Sequence, residues 1–163
     1  MIQATDGSLY GATAFGGAQG DGAIFKVTTG GTLTTLYSFC SRAKCPDGVN
    51  PQAALVQGTD GNFYGTTSAG GIYNGTIFKL SVGLGPFVES LPGSGKVGAV
   101  VKILGTKLKG TTAVSFNGTA ATFTVVSNTE ITTTVPAGAT TGFVTVTTPS
   151  GKLKSNKKFR VTG

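Results

Sequence analysis

Six carboxylates, thirteen lysines or arginines, two cysteines and no histidine are what this 163-residue chain offers for side-chain chemistry. Without histidine it lacks the usual general base, the serine triad and the commonest metal ligand together. Catalysis would have to rest on carboxylates, lysine or tyrosine. Glycoside hydrolysis needs two carboxyl groups about 5 to 10 Å apart, but Asp6, Asp47 and Asp60 each stand immediately before a glycine. That pairing is what a turn requires, since the aspartate bonds its own backbone and the glycine takes a positive φ. The turn reading outweighs the catalytic one. Calcium held through Asp60-Gly61-Asn62 would have one carboxylate where about six to eight oxygens are needed. No catalytic, cofactor or metal residue is expected.

The cysteines lie close together in "CSRAKC", as Cys40 and Cys45. Two cysteines without histidine cannot assemble a tetrahedral zinc site from such ligands within one chain. A local disulfide is favoured over two separate thiols, would contribute about 2 kcal/mol in the chain-entropy model, and suits an oxidising compartment. The stretch "SLPGSGKVG" (90–98) evokes a phosphate-binding loop, but Ser90 and Val97 occupy positions where that motif needs Gly and Ser or Thr. It reads instead as a glycine-rich turn between two strands.

Charge is distributed unevenly. Residues 1–84 carry four cations and four aspartates, while residues 85–163 carry nine cations against Glu89 and Glu130, so the whole net charge of +7 sits in the second half. The basic C-terminus "GKLKSNKKFRVTG" concentrates it. With Leu153, Phe159 and Val161 inward, Lys152, Lys154, Lys158 and Arg160 form a stripe on the solvent face of a strand. Such a stripe could hold nucleic acid, an anionic glycan or a cell-wall polymer through salt-dependent contacts. No aromatic is expected between the lysines to stack bases, and charged edge strands also resist aggregation. A solvated edge is therefore favoured over a nucleic-acid site.

The elements that must position these groups are strands. Gly and Thr number 27 each, a third of the chain, which favours turns and strands over helix. No stretch reaches the roughly 18 to 20 apolar residues of a membrane-spanning helix. The chain also repeats itself: "QATDGSLYGAT" (3–13) returns as "QGTDGNFYGTT" (57–67), and "GAIFKV" (22–27) as "GTIFKL" (75–80). The first pass supplies strand-type runs at 1–3, 8–14, 23–28 and 33–39; the second supplies 53–57, 62–67 and 76–81. Four strands in about 50 residues is the size of one propeller blade. The second pass lacks its fourth strand, because Gly83, Gly85 and Pro86 intervene and mark a boundary between 1–84 and 85–163. Met1 aligns with Leu55, in the middle of the unit, so the expectation is either the C-terminal part of a longer protein carrying further repeats or a truncated gene.

These repeated residues resemble the tandem "GloVer" repeat of bacterial surface and secreted proteins. The resemblance implies a propeller-like repeat protein in a longer, exported chain. Fewer than two units are present where propellers close with about four to eight, so apolar blade faces should lack a neighbour. Repeated aromatics at Tyr10 and Tyr64, and at Phe25 and Phe78, are expected to form core between blades rather than a sugar platform.

Residues 85–163 alternate throughout, with Phe123 and Val125, Ile131 and Val135, and Val144 and Val146 as inward sets, and with turns at Asn117-Gly118, Ala137-Gly138 and Ser150-Gly151. They resemble an IPT/TIG domain, an immunoglobulin-like β-sandwich, at Gly98, Ile103, Gly105, Leu108, Val114, Phe116, Asn117-Gly118 and Pro136. The expected fold is all-β, a partial propeller followed by an Ig-like sandwich. The expected function is a non-catalytic extracellular binding or structural module of a secreted or cell-surface protein, with a glycan or protein as partner. Two alternatives are an accessory carbohydrate-binding region beside a polysaccharide-active enzyme and a nucleic-acid-binding TIG domain.

Overall fold

A computed structural model describes residues 1–72 and 74–163. They form two compact units, Met1–Leu84 and Gly85–Gly163. Every regular element among them is a strand.

The first unit contains the repeats. Strands β1 (Ile2–Gln3), β2 (Leu9–Thr13), β3 (Ala23–Val27) and β4 (Leu33–Ser38) make an antiparallel meander in the order β1-β2-β3-β4. Strands β5 (Val56–Gln57), β6 (Phe63–Thr66) and β7 (Ile77–Leu80) repeat the first three, and β7 ends the sheet with its outer edge unpaired. The two blades therefore differ by the fourth strand, as the glycine and proline spacing predicts.

Register decides which side chains share a face, because cross-strand partners point the same way. In the first blade Tyr10 stands opposite Lys26, and Ala12 opposite Ile24. In the second, Tyr64 stands opposite Lys79, and Thr66 opposite Ile77. The Tyr10–Ile24 face of blade one packs on the other face of blade two, the one bearing Phe63 and Phe78. A single core joins them: Tyr10, Ile24, Phe39, Leu55 and Phe63 are buried, with Phe78 and Leu80 packed alongside. Tyr10 stacks on Phe63 at 4.3 Å between ring centroids, and Phe39 meets Phe78 edge-on at 5.1 Å. The repeated Tyr-Gly has a packing cause. Gly11 pairs with Phe25 and Gly65 with Phe78, and a Cβ at either glycine would collide with that ring.

The second unit is a sandwich. One sheet runs β13-β14-β10-β8, from β13 (Phe123–Val125), β14 (Glu130–Thr134), β10 (Val100–Leu104) and β8 (Glu89–Leu91). The other runs β12-β11-β15-β16-β9, from β12 (Thr119–Ala121), β11 (Ala113–Phe116), β15 (Gly142–Thr148), β16 (Gly151–Thr162) and β9 (Ser94–Lys96). Between them lie Val88, Val101, Ile103, Leu108, Val114, Phe116, Ile131, Val135, Val144, Val146, Leu153 and Phe159. Phe116 and Phe159 meet edge-on at 5.0 Å. Asn117 and Gly118 both take positive φ in the two-residue turn joining β11 to β12, the backbone that Asn-Gly hairpins favour.

Two expectations need correction. The "SLPGSGKVG" stretch is not all turn, because Ser94–Lys96 forms β9 and pairs in parallel with Arg160–Thr162 of β16. For the same reason β16 is not an edge strand. β15 covers one side along most of its length, while β9 and the backbone of Val88 and Gly93 occupy the other. Edge protection therefore does not account for its lysines.

Candidate functional site

The aspartates of the repeat do more than shape turns. Asp6 accepts the Ser8 amide at 3.0 Å through Oδ1, and through Oδ2 the Tyr10 hydroxyl at 3.0 Å and the Lys26 ammonium at 2.9 Å. Asp60 repeats the arrangement one blade later, accepting the Asn62 amide at 3.1 Å, the Tyr64 hydroxyl at 2.7 Å and the Asn62 side chain at 2.6 Å, with Lys79 at 3.6 Å. Burial pushes the Asp60 carboxyl up, but these donors and the nearby ammonium outweigh it and hold the group at about 2. Asp6 is likewise held below its ordinary value, burial being outweighed by Lys26, Ser8 and Tyr10. Burial and the adjacent Asp6 carboxylate raise Tyr10, while Asp60 raises Tyr64. An ionised carboxylate held by a tyrosine that keeps its proton is a brace between strands, with both oxygens already committed. The signal was present in sequence: Asp, Tyr and Lys recur together in both repeats, but only the β2–β3 and β6–β7 registers bring the lysine to the other two.

Asp47 belongs to a third cluster, around the disulfide that joins Cys40 to Cys45. Its Oδ2 accepts the Tyr37 hydroxyl at 2.8 Å and the Ser41 amide at 3.3 Å, whereas Oδ1 is buried without a hydrogen-bond partner. A cleft of about 230 Å³ opens beside it in the joint between the blades, with apolar walls from Ile24, Phe39 and Phe78. One carboxylate in such a cleft provides no acid and base pair. Asp21 lies near the two cysteine sulfurs, but a disulfide offers no thiolate to a metal.

The lysines of the second unit lie where alternation places them. Leu153 and Phe159 are buried, while Lys152, Lys154, Lys158 and Arg160 are exposed on the outer face of the five-stranded sheet. A bulge at 155–157, between the pairs Thr145–Lys154 and Phe143–Lys158, adds two residues and so keeps that alternation in phase: the Ser155 hydroxyl turns inward, accepting the Val144 amide at 3.0 Å and donating to the Lys157 carbonyl at 2.6 Å. The expectation that no aromatic stands among the lysines is wrong. Phe143 pairs with Lys158 across the strands, and its ring lies 3.8 Å from Lys154 Nζ and 5.9 Å from Lys158 Nζ. Its outward direction follows from the same alternation that turns Val144 and Val146 inward. Thr145 and Thr147 continue the face opposite Lys154 and Lys152. No acid stands on any strand of this sheet, since Glu89 and Glu130 lie on β8 and β14 of the other.

Repeat blades followed by an Ig-like sandwich that carries an acid-free cationic face have the architecture of a binding or structural module. Comparison with known families agrees. The chain belongs to the Gloeobacter/Verrucomicrobia repeat family, whose model matches residues 1–99. The IPT/TIG domain model matches residues 86–161, which makes the second unit an immunoglobulin-like domain of a non-catalytic family. A search of the curated proteins found no match.

Proposed function

We propose that the chain is a non-catalytic binding module of an exported or cell-surface protein, and that its IPT/TIG unit holds an anionic polysaccharide on the outer face of the five-stranded sheet. The observation carrying this reading is the acid-free face on which Lys154 and Lys158 lie against Phe143 while Lys152 and Arg160 extend the row of cations along the strand. Charges of one sign on a flat sheet raise the local concentration of a polyanion without demanding one chemical partner. Lys154 already lies over one face of the Phe143 ring, which takes that face from a nucleobase and favours a carboxylated or sulfated glycan over nucleic acid. The disulfide and the bacterial repeat family support export to an oxidising compartment.

Retention on immobilised polygalacturonate tests the proposal. The intact chain is expected to bind at about 20 mM salt and to elute as salt screens the contacts. Replacing Lys152, Lys154 and Lys158 with Ser should abolish retention and leave the melting profile unchanged, because all three side chains are exposed. Equal retention of the triple variant would place the polymer elsewhere. Tighter binding to duplex DNA than to the glycan would reverse the choice of partner.

A further inference from the structure

The two blades give an internal comparison of what one repeat does when a neighbour covers it and when none does. In blade one Ile24 is 1% exposed, and its counterpart in blade two, Ile77, is 83% exposed. Tyr10 is buried while Tyr64 is half-buried, and Ile2 packs against the joint core while Val56 is 64% exposed. Register puts Val56, Tyr64, Ile77 and Lys79 on one face of blade two, the same face that blade one presses into the joint. The opposite faces show the reverse pattern. Leu55 is 1% exposed and Phe63 fully buried, whereas their counterparts Met1 and Leu9 are 72% exposed and half-buried. Register places Leu9, Phe25, Val27 and Leu33 together on that uncovered face of blade one. The pair of blades thus ends in two apolar faces, and each is the partner type of the other.

We infer that these faces are a docking surface for a second copy of this chain: the Val56–Ile77 face of one copy receives the Leu9–Leu33 face of the next, reproducing the joint between the blades. The occupant is identified by the joint itself, in which a face of the first kind already buries one of the second kind. Charge does not oppose the contact, because Met1–Leu84 holds four cations and four aspartates. Two different faces meet, so the association is head-to-tail and closes into a ring or extends, according to the angle between copies.

Sedimentation of the intact chain from about 1 μM to about 1 mM tests this, a range that spans weak to moderate self-association. The mean mass is expected to rise with concentration. Val56→Asp with Ile77→Asp disables one face, and Leu33→Asp with Thr35→Asp the other. All four side chains are exposed, so circular dichroism melts should match the parent chain. Each double variant alone should remain monomeric, and an equimolar mixture should form a 1:1 dimer and nothing larger. A parent chain monomeric at every concentration would overturn the inference. A mixture that fails to pair, or one double variant dimerising alone, would overturn it too.

Discussion

Replacing Phe63 with Ala tests how the first unit is held together. The side chain is fully buried and stacks on Tyr10 across the joint. Truncating such a ring costs about 3 to 5 kcal/mol through lost transfer energy and the cavity left behind. A unit of this size has roughly 4 to 12 kcal/mol in total, so the loss is a large fraction of it. Leu9 occupies the same repeat position in blade one but lies on an uncovered face, half-buried. Its truncation removes about half of a full burial and should cost about 1 kcal/mol. All four tyrosines precede residue 85 and the chain has no tryptophan, so tyrosine fluorescence in urea follows the first unit specifically. With a slope of about 1 to 2 kcal/mol per M, Phe63→Ala should lower the midpoint by about 1.5 to 5 M and Leu9→Ala by about 0.5 to 1 M. Equal losses would refute the reasoning, because burial at a repeat position would then not depend on the neighbouring blade.

Three further outcomes follow from named contacts. The Asp60 carboxyl lies at about 2 instead of its ordinary 3.8, and Asp6 and Asp47 are also lowered. The stability that Asp60 contributes is present above about pH 4 and is lost as pH falls through about 2, and Asp6 and Asp47 add losses in the same direction; the urea midpoint should be lower at about pH 2 than at about pH 5, and unchanged midpoints would contradict the braces. Reducing the disulfide between Cys40 and Cys45 should cost the first unit about 2 kcal/mol, read as a lower tyrosine-fluorescence midpoint in dithiothreitol. Val144→Asp places a charge in the sandwich core and should unfold the IPT/TIG unit, so a native melting profile in that variant would show the inward assignment to be wrong.

Much of this architecture could be read from the chain because its causes are local. Asp-Gly and Asn-Gly set the turns, two-residue alternation set the inward faces of β14, β15 and β16, and the repeat fixed seven strands and the missing eighth. What escaped depends on partners distant in sequence. Lys26 reaches Asp6 only through the β2–β3 register. β16 loses its edge because β9 and the backbone of Val88 and Gly93, some 65 residues earlier, bond to it, and no short-range pattern announces those contacts. Phe143 was accessible to alternation, since a residue beside inward Val144 must point out. Its place among the lysines needed the β15–β16 pairing.

The most direct measurement for the binding reading is a titration of the isotope-labelled chain with polygalacturonate, following backbone amide shifts. The account predicts saturable, salt-sensitive shifts at Phe143, Thr145 and Thr147 and at Lys152, Lys154, Lys158 and Arg160, with the four-stranded sheet of the same unit silent. Shifts confined to residues 1–84, or none at about 20 mM salt, would contradict it.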